Sequence, residues 1–309
     1  MSSSWQFTMM VTCIILRGPL WPIGIKHVFL QTTLCKTSFT HFVFNILYKY
    51  RDGKEWEALR KPAQEKMLRP AIVASYVPLI GDVTNDLVEL LRKKDKIDDL
   101  QAQLFKYTTE SKVYTANSMV FALTDLALNP DKQAKLYDEV HRVLGDNKVM
   151  TQEHLAQMTY LKACIKESQR KTFPVLIGTL RTMETDVVLG GYSIPKGTVV
   201  QMDMEAMTSD ERFFPRPNEY IPERWLRDTN DEIAKGQDYP FGMKPFGFGP
   251  RGCIGQRFAE MELYIGIIQN FQISMPPGVS DVKSVMRTLT SPADTVVLQL
   301  KDRKNTRSG

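Results

Sequence analysis

Pro245-Phe246-Gly247-Phe248-Gly249-Pro250-Arg251-Gly252-Cys253-Ile254-Gly255 is the stretch that decides the reading of this chain. Glycines at 247, 249 and 252, with another at 255, let the backbone fold tightly against a flat surface. Cys253 then stands at the mouth of a helix that begins near Gly255. Unpaired amides and the helix dipole at such a place stabilise a thiolate, so the expectation is a lowered Cys253 pKa. Amide donors aimed at the sulfur tune its electron donation to a metal. Arg251 sets a fixed cation beside it, suited to a carboxylate, and Phe246 is expected as an apolar cover over the sulfur. A lone cysteine in a glycine loop is most often structural, but the full spacing Phe-x-x-Gly-x-Arg-x-Cys-x-Gly, met by Phe246, Gly249, Arg251, Cys253 and Gly255, is far more restrictive.

Working outward, two charged motifs stand upstream. Glu167 and Arg170 are three apart on a helical stretch, so they share a face and can pair. Pro222-Glu223-Arg224-Trp225 supplies a second arginine. Either motif alone would be an ordinary surface pair. Further upstream, Trp56 and Arg60 lie at i and i+4 on another helical stretch, and Arg181 follows Gly178-Thr179-Leu180.

With the loop, these motifs resemble the cytochrome P-450 superfamily. The resemblance implies haem b held by the Cys253 thiolate as axial iron ligand. It casts Phe246, Gly249, Arg251 and Gly255 as loop residues around the cofactor, and Trp56, Arg60 and Arg181 as propionate contacts. It makes Glu167, Arg170 and Arg224 a structural cluster behind the loop. A thiolate ligand pushes electron density onto iron and favours O–O cleavage, so the implied activity is monooxygenation. The runs Leu161–Glu167 and Arg181–Thr198 resemble the animal mitochondrial branch. That branch implies an acidic ferredoxin as electron donor, docking on Lys162, Lys166 and Arg257, and an apolar sterol- or lipid-like substrate. It also implies the matrix side of the mitochondrial inner membrane, the alternative being another intracellular membrane surface with peripheral contact. Complementary charge would steer such an encounter; the bland alternative is a solvated helix face.

The remaining chain agrees with a mainly α, α+β arrangement: helices with small sheets to one side, the P-450 fold in incomplete form. Periodicity predicts helices over 54–69, 76–96, 113–127, 131–144 and 160–171, a short one capped by Thr151, and one from Cys253 to about 270. Strands are expected over 187–192, 198–202 and 295–300, with a long ordered loop over 213–252.

The 309 residues carry a net charge of +5, 43% hydrophobic and 24% charged positions. This is ordinary globular usage, and the basic excess is too small to point to nucleic acid. Four cysteines without paired spacing argue against a disulfide framework. Residues 1–51 form a separate leader with no acidic residue before Asp52, several basic ones and many hydroxyls. It reads either as a transit segment or as sequence with no native role; residues 52–309 are the partial P-450 domain.

The chain departs from the family in two places. Set against the family it resembles, the chain is expected to lack the stretch before the Trp56 helix and, at a join near Thr109-Glu110-Ser111-Lys112, several helices of the substrate side. Alignment on Thr115-Ala116-Asn117-Ser118 puts Val113 and Tyr114 where the family carries a proton-relaying acid and alcohol, leaving Thr115 as the neighbouring hydroxyl and only weak catalytic candidate. Two other readings follow: a haem-binding remnant without turnover, or a haem-thiolate isomerase or peroxide-using enzyme, neither of which needs that relay.

Overall fold

The computed structural model describes residues 53–107, 113–145, 150–175, 177–228, 231–234, 241–267, 271–286 and 289–303. The leader and the 109–112 join lie outside the described residues. Helices α1 (Gly53–Met67), α2 (Pro70–Ala74) and α3 (Val77–Leu91) come first, then β1 (Lys96–Ile97) and α4 (Leu100–Tyr107). Next come α5 (Val113–Leu128), α6 (Pro130–Leu144), α7 (Gln152–Gln157) and α8 (Thr159–Lys171). Strands β2 (Ile177–Thr182), β3 (Val187–Leu189), β4 (Tyr192–Ile194) and β5 (Val199–Asp203) precede α9 (Met204–Thr208), a 3-10 turn at Pro222–Trp225 and α10 (Asp231–Ala234). Helix α11 (Gln256–Ile267) and strands β6 (Phe271–Ser274), β7 (Ser284–Met286), β8 (Thr290–Pro292) and β9 (Leu298–Asp302) complete the order.

Helix α5 is the axis of the core because it is apolar nearly all round. Ala116, Met119, Val120 and Leu126 are fully enclosed, and α4, α6, α8, α11 and β6 pack around it. The run Pro70–Leu91 is long and apolar enough to cross a membrane by length and composition. Here it buries Val73, Val77, Ile80 and Val88 against the core.

Buried polar side chains join the layers, since an enclosed donor without a partner is costly. Asn117 on α5 donates to the Thr290 carbonyl at 2.9 Å and accepts from Gln101 on α4 at 2.9 Å. Gln133 on α6 acts as an extra strand partner. Its amide donates to the Ile273 carbonyl at 2.9 Å and accepts the Ile273 N–H at 2.9 Å. The main sheet, ordered β1-β9-β6, is antiparallel; β2 pairs β5, β3 pairs β4 and β7 pairs β8.

Several expectations shift. The helix expected over 76–96 stops at Leu91. Arg92 is its C-cap and reaches Asp302 at 3.2 Å, while Lys96 already belongs to β1. The strand expected over 187–192 is a hairpin, because Gly190 and Gly191 take positive φ and turn the chain. The last strand lies over 298–302 rather than 295–300. Helix α6 starts one residue earlier than expected, with Asn129 as its N-cap, Pro130 following it and Asp131 in the first turn. Thr151 does cap α7, in a box closed by His154: each side chain accepts from the other residue's backbone N–H.

Helix α8 is capped at its N-terminus from another helix. Glu139 of α6 is buried and accepts from the amides of Tyr160 and Leu161, both at 2.8 Å, and from the Thr159 hydroxyl at 3.2 Å. An anion there also meets the positive end of the helix dipole. Glu139→Ala should lower unfolding stability by about 1–3 kcal/mol; an unchanged urea midpoint would contradict the cap.

Candidate functional site: an exposed thiol held by a braced loop

Loop 243–255 is held at both ends and across its middle. At its start Met243 is buried with Phe173, Met204 and Phe214. The Gly247 amide donates to the Lys244 carbonyl at 2.9 Å, the Cys253 amide to Phe246 at 2.7 Å and the Gly252 amide to Gly249 at 3.0 Å. Gly247 and Gly249 need their lack of a side chain, with φ of 69° and 71°. At Gly252 a Cβ would come within 3.3 Å of the Gly249 carbonyl. From outside the loop, Arg60 of α1 donates to the Gly252 carbonyl at 2.5 Å. This charge-assisted bond spans 192 positions of sequence and fixes the residue before the cysteine.

Trp56 lies between two guanidiniums. That of Arg251 stands 4.1 Å from the indole centroid and that of Arg60 5.1 Å, arrangements that favour a cation over the ring face. Cys253, Arg251, Trp56 and Arg60 therefore converge, although they come from opposite ends of the described chain. Arg181 is half-buried on β2, paired with Val200 of β5.

Cys253 itself is exposed, and α11 starts three residues later, at Gln256. Burial of its immediate surroundings raises the thiol pKa. The Gly255 and Gln256 amides and the Arg60 charge pull the other way without prevailing. The sequence reading expected lowering, and this is a correction: amides and dipole alone do not make Cys253 a thiolate. The Phe246 carbonyl accepts the Cys253 amide, and its side chain is half-buried.

Across from the loop, α5 packs on α11. Thr115, the weak catalytic candidate, is buried in the core, whereas its neighbour Tyr114 is 49% exposed. Burial, and after it the Cys253 sulfur, raise the Tyr114 pKa. The accessible hydroxyl at this end of α5 is therefore Tyr114 rather than Thr115.

Behind the loop, Glu167, Arg170 and Arg224 are all buried to 1% exposure or less. One Glu167 oxygen accepts from Arg170 at 2.9 Å, Arg224 at 3.0 Å and the Ile221 amide at 3.0 Å. The other accepts from Arg170 at 3.0 Å and the Trp225 indole N–H at 2.9 Å. The spare donors of the two arginines reach the carbonyls of Thr208, Pro215, Pro217, Glu219 and Ile233. One carboxylate and two guanidiniums thus pin the chain from 208 to 233 onto α8. Trp225 is a member that sequence spacing did not reveal; its adjacency to Arg224 was the only signal.

Among the expected docking residues, Lys162 and Lys166 lie one turn apart on α8. The Lys162 ammonium donates to the Ala156 carbonyl at 3.1 Å, and that of Lys166 sits 4.0 Å over the Trp225 ring. Arg257 is exposed on the first turn of α11, with no described contact to either lysine.

A single sulfur donor, flanked by two arginines and an indole, backed by amides and set opposite an apolar core helix, matches the requirements of an iron porphyrin with carboxylate side arms. Residues 96–300 match the cytochrome P450 family profile. This chain belongs to the cytochrome P450 family. It is 37% identical over 241 residues to "Probable cytochrome P450 12a5, mitochondrial" of Drosophila melanogaster, covering 75% of this chain and 42% of that protein. With cytochrome P450 27C1 of Danio rerio it shares 33% over 219 residues, 70% of this chain and 39% of the other. With the mitochondrial sterol 26-hydroxylase of Rattus norvegicus it shares 36% over 194 residues, 62% and 36% of the two chains. The similarity is thus to the animal mitochondrial branch. The chain spans about two fifths of the length of the curated relatives it matches.

Two predictions test this rear wall. Glu167→Ala leaves two guanidiniums buried without a counter-charge and should cost about 3–5 kcal/mol of stability by urea unfolding; a loss no larger than that of an exposed variant such as Lys196→Ala would contradict the cluster's role. Glu223 offers a pH test. Burial would raise its pKa, but its backbone amide, Lys135, the Tyr160 hydroxyl and Lys132 outweigh this and lower it. A carboxylate depressed in the folded state stabilises above its unfolded pKa of about 4.3 and loses that contribution as pH falls through the folded value. The stability gap between the native chain and Glu223→Gln should therefore be widest near neutrality and close on acidification; a gap that widens in acid would contradict the assignment.

Proposed function

We propose that this chain binds haem b through the Cys253 thiolate and serves as the electron-receiving half of a monooxygenase acting on an apolar, sterol- or lipid-like molecule. The observation that carries the reading is the braced loop, which holds one exposed sulfur beside Arg60, Arg251 and Trp56. Family membership supports monooxygenation. The printed name of the rat relative, a sterol 26-hydroxylase, supports the substrate class and the mitochondrial setting; we place the chain on the matrix side of the inner membrane.

In this reading Cys253 would supply the sulfur that holds the iron, and the metal cation would favour its thiolate form. The Gly255 and Gln256 amides share its charge and so limit its donation. Arg251 and Arg60, both set against the Trp56 ring, would hold the propionates, with Arg181 as a further contact. The Glu167–Arg170–Arg224 cluster keeps the loop at constant distance from α8. When bound, the thiolate-ligated haem supplies dioxygen cleavage and insertion of one oxygen atom into a C–H bond. An acidic ferredoxin delivers the electrons, steered by Lys162 and Lys166 on the face of α8, with Arg257 alongside.

One observation favours a second reading, a haem-binding protein with little turnover. Proton delivery needs an acidic group within hydrogen-bond reach. At this end of α5 the accessible hydroxyl is Tyr114, a phenol whose pKa is pushed upward, while Thr115 faces the core.

The test is the carbon-monoxide difference spectrum of the reduced, haem-loaded chain. A strongly red-shifted Soret band that is lost in a folded Cys253→Ala variant is expected; the same band in both would overturn the ligand assignment. Sterol hydroxylation with ferredoxin and its reductase would then support the first reading, and a normal band without product the second.

A further inference from the structure

A cavity of about 60 Å³ lies between the helices and the main sheet, lined by Leu87 and Leu91 of α3, Leu104 of α4, Leu123 of α5, Ile267 of α11 and Leu300 of β9. It stands apart from the Cys253 loop. It meets α11 at that helix's last turn, roughly 15 Å along the axis from the first turn beside Cys253, at about 1.5 Å per residue. The polar members of its lining are Thr84 and Gln103, and the Thr84 hydroxyl is already engaged, donating to the Ile80 carbonyl at 2.8 Å. Such walls offer a ligand dispersion contacts and removal from water. One border is different. The turn over 92–95 is tied to two lining residues: the Lys94 amide donates to the Leu91 carbonyl at 2.9 Å, and the Leu300 amide to the Asp95 carbonyl at 2.8 Å. Around that turn Arg92 is held by Asp302 at 3.2 Å and Lys96 by Asp98 at 2.8 Å. Lys93 and Lys94 are exposed, and among the described residues no carboxylate forms an ion pair with either. Asp95 is the turn's one carboxylate, so the two lysines leave it with an excess of positive charge.

We propose that this cavity is an accessory site for an anionic amphiphile, a fatty-acid carboxylate, with the end of its alkyl chain between α3, α5 and β9 and its carboxylate at Lys93 and Lys94. The site is separate from the one at Cys253 and does not rest on the haem reading. Its volume takes at least about two methylene-sized groups, a water's share of the liquid being about 30 Å³. A chain end fits that space, and a rigid fused-ring molecule does not, which separates this ligand from the sterol-like one proposed above. The head of a longer chain stays in water at the mouth, where an exposed cation can meet it. A neutral hydrocarbon would gain the same burial and nothing from the turn. Exposed charge pairs contribute little by themselves, so the chain end supplies most of the affinity and the lysines select the sign of the head group.

The experiment uses the full chain, purified with the haem it retains, titrated calorimetrically with decanoate and with decanol below their aggregation concentrations. Decanoate should bind without moving the Soret band. Leu87→Trp, which fills the cavity, should weaken both ligands about tenfold, as expected when about two methylenes return to water. The Lys93→Glu, Lys94→Glu double variant should weaken decanoate about threefold or more at low salt and leave decanol unchanged. If Leu87→Trp fails to fold, Leu87→Ala serves in its place: the enlarged cavity should favour dodecanoate over decanoate more strongly than the native chain does. Unchanged decanoate affinity in a folded Leu87→Trp variant, or no binding of decanoate at all, overturns the site. A Soret shift that persists in Leu87→Trp places the ligand at the haem and overturns it too. If the double reversal leaves decanoate affinity unchanged, the carboxylate assignment is overturned. Binding to phosphatidylserine vesicles without binding to decanoate would overturn the proposal in favour of a membrane surface.

Discussion

The Glu167 carboxylate accepts five hydrogen bonds, from two guanidiniums, an indole and a backbone amide, with no access to water. Each of these donors would be costly to bury alone. Together they turn an otherwise irregular stretch, running from α9 through the 3-10 turn, into a fixed wall. That wall orders Phe214 and Trp225, the apolar cluster on them holds Met243, and Met243 anchors the first turn of the loop that ends in Cys253. Glu139 secures the other end of α8 by capping it. The thiol's position is therefore set by polar bonds several residues removed from it, at least as much as by its own glycine-rich neighbours.

Some of this was legible in the sequence. The loop could be read because each of its conspicuous residues answers a separate local demand: positive φ at Gly247 and Gly249, close approach at Gly252, an accessible donor atom at Cys253. Glu167 and Arg170 could be read because three residues of helix put both on one face. The helices were legible from periodicity, with ends misplaced where a cap residue competed, as at Arg92 and Asn129.

The rest depends on pairings that no local pattern encodes. Trp225 donating to Glu167, Glu139 capping α8 and Gln133 serving as a strand partner of Ile273 all join residues between 20 and 140 positions apart. The Cys253 pKa was misjudged for a related reason. Amides and dipole are visible in sequence, but desolvation is a property of the packed surroundings, and here it prevails. Thr115 and Tyr114 show the same limit: alignment names both as hydroxyls at the start of α5, and only the helix's rotation decides that Thr115 faces the core and Tyr114 the open side.

The central claim is that the braced loop presents Cys253 as the sole protein ligand to haem iron. Iron-edge X-ray absorption on the haem-loaded, ferric chain tests it most directly. One sulfur scatterer in the first shell, replaced by a lighter atom in Cys253→Ser, is the expected result. A first shell of nitrogen and oxygen alone, in native chain that is folded and fully loaded, would contradict it.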